Sequence, residues 1–151
     1  MANYISEDDI EKAAIKLLLE QLDYDEHINC YTVDEKDLQD GSNRSSKEEV
    51  VFTVQLRKAL IKLNKGVPEG AIEQAINELV KGRSSLSEML ANKEVYELIK
   101  EGFPAKVLNK QGREEPIRIK YIDFKKASNN NFTVVSQLWI QGMPKFRRPD
   151  L

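Results

Sequence analysis

The stretch Asn131-Phe132-Thr133-Val134-Val135-Ser136-Gln137-Leu138-Trp139-Ile140-Gln141 decides the class of fold. Phe132, Val134, Leu138 and Ile140 fall on one face with Ser136 among them, and Thr133, Val135, Gln137, Trp139 and Gln141 on the other. A period of two is the signature of a strand. The second face is half apolar, which predicts partial cover, for which the first helix is the candidate. The polar run Ala127–Asn131 before it is a strong turn signal. Upstream, Phe103–Leu108 reads as extended with Pro104 near its start, and Gln111-Gly112 supplies a turn. Ile117, Ile119 and Tyr121 then alternate with Arg118, Lys120 and Ile122. The last third of the chain is therefore β structure.

The first two thirds are mainly helical. Ser6 followed by Glu7, Asp8 and Asp9 is a helix start, with a capping hydroxyl and carboxylates at the positive end of the dipole. Ile10, Ala13, Ala14, Leu17, Leu18 and Leu22 recur at helical spacing and predict a helix over 7–22, with Glu11 beside the apolar stripe as a boundary residue. A short strand is expected near 28–33, then a loop over 34–46. A second helix is expected from Ser46 or Lys47, with Phe52, Leu56, Ala59, Leu60 and Leu63 as its buried side and Gly66 closing it. Pro68 opens a third helix carrying Ala71, Ile72, Ala75, Ile76 and Leu79, which Gly82 closes. Leu86, Met89 and Leu90 suggest a helical turn, and Asn92 a cap for a further helix ending at Gly102. The order is helix, short strand, helical cluster, then strands. This is a mixed α/β layout in which a helical cluster precedes a mixed or antiparallel sheet.

Composition sets bounds on function. The 151 residues carry 40% hydrophobic and 32% charged side chains, ordinary for a globular domain, and fit one domain with a sizeable core. The net charge of -2 means that any DNA contact must use a local basic patch. Cys30 is the only cysteine, which excludes an internal disulfide and suits a reducing cytosol. His27 is the only histidine, which rules out multi-histidine metal chemistry; a Ser-His pair would have to use it, and no nucleophile motif supports one. No apolar run is long enough to span a bilayer and no signal peptide is visible, so a cytoplasmic location is expected. Phosphate-loop, dinucleotide and His-Glu-x-x-His motifs are absent. Arg57, Lys58 and Lys62 read most simply as a solvated helix face.

One segment has chemistry of interest: Lys145-Phe146-Arg147-Arg148-Pro149-Asp150. Hard divalent cations such as Mg²⁺ take carboxylate oxygens and keep several waters. A cation so held can activate water and stabilise a phosphodiester undergoing displacement. Neighbouring arginines suit backbone phosphates. A single carboxylate does not complete such a site, and a basic cluster beside Pro-Asp is more often merely solvated.

Taken over nearly its full length, the chain resembles the N-terminal region of the restriction (R) subunit of type I restriction-modification enzymes. The resemblance rests on Ile10-Glu11 with Leu17-Leu18 and Tyr24, on Val50 to Asn64, and on Pro68-Glu69-Gly70-Ala71-Ile72. It continues through Asn92 to Gly102, Ile122-Asp123-Phe124 and Asn130 to Val135, and ends at Arg147-Arg148-Pro149-Asp150. The resemblance implies an incomplete PD-(D/E)xK restriction-endonuclease-like fold, with residues 1–151 as the N-terminal part of the nuclease domain. The Glu-x-Lys half of the motif and the ATP-driven motor would lie outside it. By the same resemblance Asp150 is a catalytic, metal-binding residue. Glu11 is a second acidic residue near the metal, with Glu7, Asp8 and Asp9 as competitors. Lys145, Arg147 and Arg148 are phosphate contacts. The implied cofactors are Mg²⁺ and, in the parent's motor, ATP. The implied partners are double-stranded DNA and the modification and specificity subunits. The parent is expected to cut DNA, and the chain alone to be inactive, with a sheet edge open to a second copy.

Two other readings are open. The cluster from Glu48 to Gly102 could be a non-catalytic module that docks a partner subunit. The chain could also be a small α/β protein without an active site.

Overall fold

The structure is a computed structural model that describes residues 6–142 and 145–149. Ten regular elements follow in order: α1 (Glu7–Gln21), β1 (Glu26–Asn29), α2 (Thr53–Leu63), α3 (Glu69–Val80), α4 (Glu88–Glu101), β2 (Phe103–Leu108), β3 (Glu114–Ile119), β4 (Thr133–Ser136), β5 (Ile140–Gln141) and β6 (Phe146–Arg147). A 3₁₀ turn, Ala127–Asn129, precedes β4. The mixed α/β class is as expected. The strands form three pairs: β1 runs parallel to β4, β2 antiparallel to β3, and β5 antiparallel to β6. The chain divides into two compact units. Unit 1 is 1–52 with 131–151, and unit 2 is the segment 53–130 inserted between them.

Unit 2 is built on α3. Ala71, Ile72, Ala75 and Ile76 are its buried face. They pack with Leu60 of α2, with Ala105 and Ile119 of the β2–β3 hairpin, and with Tyr121. The Tyr121 hydroxyl donates to the Ala75 carbonyl at 2.6 Å. Two amide side chains then act as extra backbone. Gln74 accepts from the Lys106 N–H and donates to its carbonyl, so α3 satisfies one edge of β2. Asn64, just past α2, does the same for Lys120. Gly102 closes α4 at φ +78°, and a Cβ there would sit 2.6 Å from the Ile119 carbonyl oxygen. Only glycine fits that turn.

Helix α4 corrects the expected break at 90–92. Ser87, in extended backbone, caps a single helix by accepting from the Leu90 N–H, and Asn92 lies exposed inside it. An exposed interior asparagine costs only a few tenths of a kcal/mol, roughly, so it need not mark a boundary. The expected start of α2 at 46–47 is also corrected. Residues 46–52 are turns and loop, and the helix begins at Thr53. The reason is that the side chain of Lys47 and the carbonyl of Glu49 are committed elsewhere in unit 1.

In unit 1 the helix start is as expected: Ser6 and Asp9 form a reciprocal capping box for α1. Its half-buried stripe is shifted by one residue from the expected one. Glu11, Ala14, Ile15, Leu18 and Leu19 are half-buried, whereas Ile10 and Leu17 are 59% and 46% exposed. The parallel β1–β4 pair lies in the register His27 to Val134 and Asn29 to Ser136. Asp25 extends it by exchanging hydrogen bonds with Phe132, whose ring lies 5.5 Å from that of Tyr24. The long strand expected over 132–140 ends at Ser136, because Gln137 takes a left-handed φ of +57°.

Candidate functional site

Unit 1 holds most of the residues singled out by the sequence. Asp150 lies outside the described residues. The segment leading to it does not. β6 pairs with β5 in the register Ile140 to Arg147 and Gln141 to Phe146. This short ribbon exposes Lys145, Arg147 and Arg148. Arg147, Arg148 and Pro149 line a shallow hollow with Ile140 and Gly142. The Arg148 guanidinium stacks over the ring of Trp139 at 5.0 Å and lies 5.5 Å from that of Tyr31. Contacts of this kind are worth about 0.5–1 kcal/mol at exposed sites. They fix the side chain and leave the planar fork its donors.

A buried charge cluster holds the ribbon's base. Asp40, Ser42, Arg44 and Lys47 are all buried. One oxygen of Asp40 accepts from Arg44 at 3.0 Å and from Lys47 at 2.8 Å, and the other accepts from the backbone and hydroxyl of Ser42. Arg44 also donates to the Ser42 hydroxyl, the Glu49 carbonyl and the Trp139 carbonyl. The Lys47 carbonyl accepts from the Gln141 N–H at 2.9 Å. The segment 40–47 thus grips both ends of the 139–141 stretch. Burial alone would raise the Asp40 carboxyl. The hydrogen bonds from Lys47, Ser42 and Arg44 overcome that and hold it well below the usual carboxylate range. Cys30 lies in the same core. Its thiol is pushed up to about 11, by burial first and by Asp40 second. It is a protonated core residue.

Glu11 is half-buried, not a solvated boundary residue, and its Oε2 accepts from the Gln137 amide at 2.5 Å. Its other oxygen has no hydrogen bond among the described residues. Such a carboxylate has the donor chemistry that a hard cation needs. Of the competitors, Asp9 closes the capping box, Asp8 pairs with Lys12 and Glu7 is exposed. No group of three His, Cys, Asp or Glu able to hold a metal occurs among the described residues. A Ser-His contact does occur, with His27 Nε2 at 2.8 Å from Ser136 Oγ. Ser136 is 1% exposed, so this is a hydrogen bond in the core and not a nucleophile. The sequence offered little sign of the 40–47 grip or of Gln137. Asp40-Gly41-Ser42-Asn43-Arg44 has loop composition, and only the Asp-Arg spacing of four hinted at a pair.

The sequence profile of the family described as "Type I restriction enzyme R protein N terminus" matches residues 4–151, and the chain belongs to that family. It is the N-terminal region of a type I R subunit. One similar protein is the Type I restriction enzyme HindI endonuclease subunit of Haemophilus influenzae, 33% identical over 105 residues. That alignment covers 68% of this chain and 10% of the relative, so the chain matches about a tenth of that protein's length. No solved structure matches the chain. No helix among the described residues is long and apolar enough to cross a membrane.

Proposed function

We propose that this chain is the front part of the nuclease domain of a restriction subunit that cuts double-stranded DNA, with PD-(D/E)xK chemistry and with cleavage coupled to ATP-driven translocation. The observation that carries the reading is the family match, which runs through Arg147-Arg148-Pro149-Asp150 to residue 151. The name of the Haemophilus influenzae relative, an endonuclease subunit, agrees with it.

In this reading Asp150 would hold Mg²⁺ with Glu11 as a second catalytic acid near it, and the motif's Glu and Lys would come from sequence outside this chain. The cation, when bound, supplies an activated water and charge stabilisation at the phosphodiester. The chain's own residues position and bind. Gln137 holds one oxygen of Glu11 and leaves the other to a ligand. Arg147 and Arg148 offer bidentate donors to DNA phosphates. The grip of Arg44 and Lys47 on 139–141 keeps the β5–β6 ribbon in place beneath them. The modification and specificity subunits are the expected protein partners, and the cytoplasm the expected location.

The sequence that follows Leu151 in the full gene tests the reading. An apolar strand ending in Glu-x-Lys within a few turns of chain supports it. A different continuation removes the second half of the site and with it the nuclease assignment.

A further inference from the structure

The chain's net charge of -2 conceals a division between its two units. Residues 53–130 carry 15 Lys and Arg against 10 Asp and Glu, a formal charge of +5. The remaining residues carry 8 against 15, a formal charge of -7. From Thr53 to Pro68 there are four basic residues and no acid.

The excess has a location. Lys62, Lys65 and Lys120 line one hollow of unit 2 with Asp123, Ser128 and Asn129. An adjoining hollow shares Lys120 and Asp123 and adds Lys100, Glu101, Arg118 and Lys125. Asn64 creates the meeting. Its amide bonds the N–H and carbonyl of Lys120 at 2.8 and 2.9 Å, fastening the end of β3 to the end of α2. Both acids of the two hollows are engaged: Glu101 lies 4.0 Å from Lys100, and Asp123 accepts from Asn129 and from the N–H groups of Lys125 and Lys126. Those hydrogen bonds, Asn129's first, hold its carboxyl below the usual range, so it stays charged but turned to the loop. Elsewhere in unit 2 several basic residues pair with acids, as in Arg57–Glu73, Lys93–Glu97 and Lys106–Glu114. Lys65, Lys125 and Lys126 are in no ion pair among the described residues. The helix dipole accounts for lysines at the end of α2. It does not account for Lys120, Lys125 and Lys126, which lie in the loop after β3.

We propose that this concave face of unit 2 is a second DNA-backbone contact, built from Lys62, Lys65 and Lys120 and bordered by Lys125 and Lys126. It takes phosphates, not bases. Lysine ammonium groups and the Ser128 hydroxyl are suited to phosphate oxygens, and the Asn129 amide, which has a bidentate pattern for a base edge, already donates to Asp123. The proposal rests on the reading that the parent handles DNA, and adds a contact made of residues other than Lys145, Arg147 and Arg148.

The test is duplex binding by the chain without Mg²⁺, read by fluorescence anisotropy across a salt series. Each phosphate contact adds about 0.9 to the slope of log K against log salt. The triple variant Lys62→Gln, Lys65→Gln, Lys120→Gln is compared with Lys93→Gln, Lys106→Gln, Lys110→Gln, which removes equal charge elsewhere in unit 2. The triple variant should lower the slope by about 2–3 and the affinity in step, and the control should change the slope by less than about one contact. Circular dichroism should show both folded. Equal losses in the two variants would overturn the proposal, as would absence of duplex binding by the wild-type chain at low salt. Unchanged DNA affinity together with lost binding to a partner subunit would overturn it in favour of an acidic protein surface. None of these outcomes depends on cleavage, so the nuclease reading stands or falls separately.

Discussion

Gln137 donates its side-chain amide to the carboxylate of Glu11, joining residues 126 positions apart in the chain. The contact depends on backbone geometry. β4 ends at Ser136, and the next residue enters the left-handed region at φ +57°. A side chain held there costs on the order of 1–3 kcal/mol, and such conformations concentrate at functional sites.

Glycine at 137 separates the two consequences. It relieves the left-handed φ while removing the amide, so Gln137→Gly should change stability by less than about 1 kcal/mol. Gln137→Val keeps the Cβ and adds a branch, and should lose about 1–3 kcal/mol. Thermal melts distinguish them. In the full-length parent, Gln137→Gly should lower DNA cleavage about 10–100-fold, the range for groups that orient a metal ligand. Unaltered cleavage would mean that Glu11 does not serve the site.

The buried cluster around Asp40 predicts a mutational and a pH effect. Asp40→Asn leaves Arg44 and Lys47 buried without their anion and should cost about 3–5 kcal/mol in chemical denaturation. The folded carboxyl titrates below its ordinary value of 3.8. Its contribution is therefore complete above that value and is lost as pH falls through and below it. Wild-type stability should drop on acidification below about pH 4. Asp40→Asn should flatten that part of the profile.

Cys30 should be inert while the chain is folded. Its thiol is raised to about 11 and is fully buried. At pH 8 alkylation should proceed only as fast as unfolding and become rapid in denaturant. Fast labelling of the native chain would contradict the packing of unit 1.

In unit 2, Gly102→Ala should destabilise by more than about 1 kcal/mol, because the new Cβ meets the Ile119 carbonyl at a strained φ. Ile72→Ala, at 1% exposure, should cost about 2–5 kcal/mol. Gly82→Ala, where a Cβ meets open space, should be nearly neutral. Denaturant midpoints for the three variants give the order.

The parts of this fold legible in the sequence are those with a clean period. The Ile72–Ile76 face of α3, the Ile117–Ile119 alternation of β3 and the Ser6–Asp9 start of α1 lie where spacing and capping chemistry put them. Tertiary contacts overrode local pattern elsewhere. Residues 46–52 look like a helix start, yet Lys47 reaches into the core to Asp40 and the segment stays irregular. Thr133–Ile140 alternates like one strand, yet the turn at Gln137 ends it early. The α1 stripe is displaced by one residue, because the half-buried set is Glu11, Ala14, Ile15, Leu18 and Leu19, one carboxylate among four apolar side chains. For the site, the residues themselves singled out the basic segment ending at Asp150, and only the family resemblance pointed to Glu11. The supports (Gln137, Arg44 and the Trp139 ring under Arg148) are contacts between distant positions, which no local period can reveal.

In the proposed reading Asp150 would be a metal-binding catalytic residue of a DNA-cutting parent. Asp150→Ala in the full-length subunit, assembled with its partners, tests it directly. DNA cleavage should fall by more than about 100-fold, the upper end for groups that only support a ligand. ATP hydrolysis by the same preparation should stay near wild type. Retained cleavage, or loss of both activities together with the fold, would contradict the assignment.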